Sequence, residues 1–287
     1  MIRQAWARAA LGAIVMAIAL GTASALGSAL DAAPTVIARL IPALLCASIA
    51  VLLVKLLHRG SMTSLGLTGG IGPFLLGIAV TGGSAALLFG LATIADWLAW
   101  GPFDLPAVLL FLLTNGVVAL LLEALPEELT LRGYTWTALR SSHSGTVAAL
   151  GTTGLFLLVP GGASVVQAGV GALAGSPAPS PGLAPPGEDP ASYLFLLTVF
   201  GLTLVAARAA TGSLWTSIAT HLTFLTVNRL TLYGDQRGAG WSVELVQPDA
   251  ILLVPAYLLL TALIYRFAIR RTARYFFRTS TGSRSIA

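Results

Sequence analysis

Apolar runs of about 17–25 residues, separated by short polar or glycine- and proline-rich breaks, recur along the whole chain. That length is what a hydrocarbon core of roughly 30 Å demands of a spanning helix. The runs predict eight helices, at about 9–30, 38–57, 72–94, 105–125, 145–160, 192–209, 213–232 and 250–269. The fold class expected is therefore all-α, a polytopic integral membrane helical bundle of about eight transmembrane helices. Pro177, Pro179, Pro181, Pro185, Pro186 and Pro190 punctuate 160–191, a density that predicts a flexible outer loop rather than a helix.

Composition agrees with the pattern. A mean hydropathy of +0.87, with 56% hydrophobic and 9% charged residues, lies outside the range of soluble globular domains. The charges also sort by side. With both termini cytoplasmic, Arg3, Arg8, Lys55, Arg59, Arg132, Arg140, Arg208, Arg266, Arg270, Arg271, Arg274, Arg278 and Arg284 fall on the inner side, and only Arg39, Arg229 and Arg237 on the outer. This is the positive-inside bias of a multi-pass protein. Eight of the eleven acids fall outside. Trp97, Trp100 and Phe103 read as an outer interfacial belt, Tyr134 and Trp136 as an inner one.

Three regions follow: an N-terminal transmembrane hairpin over 1–60, a membrane core over 61–232 that includes the outer loop, and a C-terminal helix with a basic tail over 233–287. The tail, with Tyr275, Phe276 and Phe277 among its arginines, accounts for the basic balance by lying on an anionic inner leaflet, so no nucleic-acid partner is implied. Cys46 stands alone, which excludes a disulfide framework and a thiolate metal site. The first apolar run follows Arg3 and Arg8 and contains Ala23-Ser24-Ala25, like a signal peptide, but runs past a typical signal core, so an uncleaved span is expected. Fifteen arginines against one lysine, with abundant alanine, point to a GC-rich bacterial origin and hence the cell membrane.

The remaining three acids sit together in Glu123-Ala-Leu-Pro-Glu127-Glu128-Leu-Thr-Leu-Arg132-Gly133-Tyr134, at the end of the fourth apolar run. Ionisable groups at membrane depth cost roughly 2.5–3.5 kcal/mol each on insertion scales and mark function by default. Pro126 donates no hydrogen bond, so it is expected to break or kink the helix, with Glu127 and Glu128 in the first turn of the restarted segment. Glu128 and Arg132 are four apart, the spacing of a stabilising ion pair. Glu128 then has a fixed cation beside it and Glu127 does not. Such divergence divides acid and base duties between paired carboxylates, with Glu127 as the general base. The plainer alternative is that these charges only end a span at the inner surface.

The run Ala-x-Pro-Glu-Glu-Leu-x-Leu-Arg-Gly-Tyr resembles the first motif of the CAAX-protease and bacteriocin-processing family, the Abi-type intramembrane proteases. Its Glu-Glu, three residues, Arg-Gly matches at Glu127, Glu128, Arg132 and Gly133. Ser64-Leu-Gly-Leu67 and Gly212-Ser213-Leu214-Trp215 are similar to further family stretches, and His221 stands where the last motif has a histidine. The resemblance spans about 60–232. It implies an intramembrane endopeptidase hydrolysing a peptide or protein substrate near the cytoplasmic face of the bilayer. Glu127, Glu128, Arg132 and His221 would be its catalytic residues, and a divalent metal such as zinc a possible cofactor on Glu127 and His221. Two motifs depart from the family. Phe156 is followed four residues on by Pro160 where a histidine is expected, and His221 by Leu225 where an asparagine is expected. Asn228 lies on the same helical face as His221 but two turns away. These departures imply reduced turnover, or a catalytically inactive member acting as a membrane scaffold or binding protein. A transporter using the carboxylates as proton relays ranks behind both.

Overall fold

The computed structural model describes residues 2–175 and 180–281, with side chains as far as Phe267. Eight long helices follow one another: α1 (Ile2–Ala29), α2 (Thr35–Leu57), α3 (Ile71–Ile94), α4 (Leu105–Arg140), α5 (Gly145–Leu173), α6 (Pro190–Thr211), α7 (Leu214–Thr231) and α8 (Leu253–Thr281). Seven of the helices among the described residues are long and apolar enough to cross a membrane, and α7 is the exception. Its 18 residues reach the length but bury Thr216, Ser217, Thr220, His221, Asn228 and Thr231. It is the polar staff of the bundle, packed against α3, α4 and α6. The protein is thus an all-α, multi-pass membrane bundle, as the periodicity of apolar runs predicts.

Asp104, Ser144, Asp189 and Ser213 cap α4, α5, α6 and α7, each side chain accepting a first-turn backbone N–H. The lone sheet among the described residues is a two-stranded antiparallel clip of β1 (Leu98–Trp100) and β2 (Val243–Leu245). Trp100 stacks on Trp241 at 4.3 Å beside it, and Trp97 and Phe103 stay exposed as interfacial aromatics do.

Close approach between helices is set by glycine. A Cβ on Gly77 of α3 would lie 2.6 Å from both Ala219 Cβ and the Thr216 carbonyl of α7. One on Gly12 of α1 would meet Thr135 Oγ1 and lie 2.7 Å from the Thr130 carbonyl of α4. Small residues at crossings are how membrane helices maximise contact, since lipid offers no hydrophobic drive for them to associate. α1 also packs along α2 and the second half of α5, with Met16, Ala19 and Ala23 fully buried.

Four expectations need correction. The segment 160–191 is not loop from its start: α5 breaks at Leu158 and resumes as Val159–Leu173, with Pro160 in the first turn, where its missing N–H has no partner to lose. Of the six prolines counted there, Pro177 and Pro179 lie outside the described residues. Tyr134 and Trp136 are not interfacial; they are 2% and 9% exposed, inside the bundle. Arg132 and Arg208, counted as inner-surface charges, are buried. Arg229, counted as an outer charge, is paired within the bundle to Glu123 at 2.5 Å. The aromatic and basic side chains of the C-terminal tail lie outside the described residues.

Candidate active site

Pro126 does not stop α4. The helix runs on through two π-helical stretches, Leu120–Ala124 and Glu128–Thr135, on either side of Leu125–Glu127. The wider turn bonds the Leu125 N–H to the Leu120 carbonyl, five residues back. A helix can thus absorb a residue that cannot donate, and π turns within α-helices concentrate at functional sites. The second stretch is buried along its whole length.

This register sends Glu128 and Arg132 into the core, both fully buried. Arg132 Nη1 donates to Glu128 Oε1 at 3.2 Å, the pairing that their spacing predicts. The guanidinium lies over the Phe156 ring, 4.5 Å from its centroid. Stacking on an aromatic face is a way to hold a desolvated cation. From α7, His221 Nδ1 donates to the same Glu128 oxygen at 3.0 Å. Phe200 of α6 closes on the imidazole edge-to-face at 4.8 Å. Histidine and glutamate are thus 93 positions apart in sequence and in contact.

Glu127 sits next to this relay rather than in it. It is 9% exposed, and its carboxylate takes no hydrogen bond among the described residues. The imidazole expected on Glu127 is bonded instead to its neighbour, Glu128. Glu128 Oε2, Arg132 Nε and Nη2, and Thr153 Oγ1 are buried without a protein partner. Thr153 and Arg132 Nη2 both border Gly201, where a Cβ would lie 3.0 Å from the threonine Cγ2 and 3.5 Å from Nη2. Buried polar atoms in native proteins find partners, so these atoms are left for water or for a bound molecule.

No three His, Cys, Asp or Glu side chains among the described residues are grouped to hold a metal ion. Glu127 and His221 supply two donors, and Glu128, whose near oxygen accepts from Arg132 and His221, is not grouped with them around one metal position. A catalytic zinc takes three protein ligands, so this donor set does not fit one. Asn228 is turned elsewhere: its Nδ2 donates to Tyr257 Oη and to the Phe224 carbonyl, each at 2.7 Å. Leu225 is half-buried. His143 bonds the Leu139 carbonyl beside Trp6, and His58 bonds Ser64. Cys46 is free and buried, its Sγ on the Leu122 carbonyl.

One residue that sequence reasoning counted only as a topology charge organises one end of the site. Arg208, near the end of α6, reaches three carbonyls: Leu65 at 3.1 Å, Arg132 at 3.4 Å, and Gly212. Alongside it, the Leu214 N–H donates to the Gly66 carbonyl at 2.6 Å, and Ser213 Oγ to the Thr68 carbonyl at 2.5 Å. Gly66 has φ +99°, and a Cβ there would come 2.5 Å from the guanidinium carbon. Ser64–Leu67 and Gly212–Trp215, the two weak family stretches, are therefore the two sides of one joint. The signal that could have found Arg208 is its place four residues before Gly212, at a helix end where carbonyls lack intrahelical donors.

The fold and this cluster define a class: a polytopic membrane protein with a buried glutamate–arginine–histidine centre. Residues 108–227 match the family model described as type II CAAX prenyl endopeptidase, Rce1-like. The match runs from α4 to α7 and takes in Glu127, Glu128, Arg132 and His221. Over these residues the chain is similar to this CAAX-protease family, a family of endopeptidases. No curated protein matches the chain. No solved structure matches it either.

Proposed function

We propose that the protein is a working intramembrane endopeptidase of the CAAX type, hydrolysing a peptide bond of a membrane-associated substrate by a glutamate mechanism. The observation that carries this is the double acceptance by Glu128 Oε1 from Arg132 and His221, next to a Glu127 carboxylate left without a partner. Glu128 fixes the imidazole, because an Nδ1–H held by a carboxylate leaves Nε2 free to face the substrate.

Glu127 takes a proton from water, and the hydroxide oxygen bonds to the scissile carbonyl carbon. Nε2 takes a proton from solvent before the step, keeps it, and donates a hydrogen bond to the oxyanion that forms. As the carbon–nitrogen bond breaks, Glu127 passes its proton to the leaving amine. Arg132 stays paired with Glu128 throughout. No step runs through a metal. The site opens to the cytoplasmic side, both termini lie there, and the membrane is the cell membrane; the arginine distribution supports each of these.

The test is cleavage of a membrane-anchored peptide by protein reconstituted in vesicles. Glu127→Ala is expected to lower kcat about 10²–10⁴-fold, the contribution of a positioned general base. His221→Ala is expected to cost about 10²–10³-fold, the worth of one oxyanion donor. Turnover unaffected by both changes refutes the mechanism. A second reading has a specific observation behind it. Pro160 opens a helical segment where the family places a histidine, and Leu225 stands in the asparagine position. A non-catalytic binding protein would retain a membrane peptide with equal affinity in wild type and Glu127→Ala and cleave it in neither.

A further inference from the structure

The three arginines that sequence analysis leaves on the outer side all line one cavity, and that cavity is not the Glu128 cluster. Its volume is about 510 Å³, and Arg39 of α2, Arg229 of α7 and Arg237 of the following turn converge on it. Glu123 is the one acid in its wall, and Arg229 takes it. Arg39 and Arg237 have no ion pair among the described residues. Partial burial and the nearby Arg229 hold the Arg237 guanidinium below its ordinary range, as expected of like charges brought together.

A second observation is independent of the charges. Asn115 of α4 lines the same cavity, is 9% exposed, and has a buried Nδ2 with no hydrogen-bond partner. A net positive cavity with an unanswered N–H donor is complementary to an anionic oxygen group. Apart from Thr35 and Thr114 the rest of the wall is apolar, including Leu113, Val117 and Leu122. Leu113 and Val117 are largely exposed on a surface that faces lipid. The occupant therefore needs an anionic head, an apolar body and access from within the bilayer.

We propose that this cavity binds an anionic phospholipid, with the headgroup phosphate between Arg39, Arg237 and Asn115 and the acyl chains along α2 and α4. Zwitterionic lipid is disfavoured because its ammonium brings a cation to arginines already in excess.

Native mass spectrometry of the full chain released from nanodiscs tests this, using equal amounts of phosphatidylglycerol and phosphatidylcholine. Wild type is expected to retain phosphatidylglycerol at least tenfold over phosphatidylcholine. The Arg39→Gln/Arg237→Gln double variant is expected to lose that preference, and Asn115→Leu to reduce it severalfold. Neither arginine is buried in the core or held in an ion pair, so the double variant should fold; an unchanged melting temperature in detergent checks this. Equal retention of the two lipids by wild type overturns the proposal, as does an undiminished preference in the double variant. Displacement of the lipid by millimolar inorganic phosphate would overturn the lipid assignment in favour of a free-phosphate site. The readout needs no turnover, so it stands or falls apart from the peptidase mechanism.

Discussion

Glu128 answers Arg132 and His221 with one oxygen while the other has no protein partner, all at 0–2% exposure. Removing one member of such a set leaves a buried charge uncompensated, which costs about 3–5 kcal/mol. Arg132→Met should lower the melting temperature in detergent sharply, and Glu128→Gln added to it should restore most of the loss. Additive losses in the double variant would show that the two do not act as a pair. Much at this scale was legible beforehand. The spacing of Glu128 and Arg132 gave their pairing, and the resemblance gave His221. Which glutamate the histidine bonds was not legible, because it depends on the register of α4 against α7. Arg208 was missed for a related reason. Positive charges near span ends are counted for topology, and a count does not distinguish a snorkelling side chain from one wrapped around three carbonyls.

The helices divide by what hydropathy can report. Spans whose outward faces meet lipid announce themselves, whereas α7 falls short of the apolar threshold because it supplies polar groups to the interior. Pro126 and Pro160 both misled, in opposite directions: one is absorbed by a π turn, the other starts a helix where loop was expected. The contact of α3 with α7 rests on Gly77. Gly77→Val should cost about 1–3 kcal/mol by overpacking and, by displacing His221 from Glu128, lower activity more than stability. Gly83, which has open space around it, is the matched control, and Gly83→Val should leave both unchanged. An equal effect at the two positions would mean that valine in α3 does harm by itself, without the crossing.

Across the molecule, the site hangs on a joint that ties the 61–68 segment, the end of the second π stretch and the α6–α7 turn through Arg208. Arg208→Leu should speed amide hydrogen exchange at Gly66 and Leu214 and reduce turnover, while Arg208→Lys, with one cationic centre in place of a fork, should restore little. Unaltered exchange at both amides would mean that the joint holds without its arginine. Because the donor set does not fit a three-ligand metal, turnover in reconstituted vesicles should persist after treatment with a strong chelator. Abolition by the chelator and recovery with zinc would refute the glutamate mechanism. The π stretches of α4 carry a last consequence. Each houses one residue more than an ordinary turn, so they act as phase adjusters in a long rod. Deleting a single residue between Leu120 and Ala124 would swing Glu127 and Glu128 by about 100° about the axis. Hydropathy, length and charge count would hardly register the change. Yet the carboxylates would be dialled away from α7, and the contact of Glu128 with His221 would be lost.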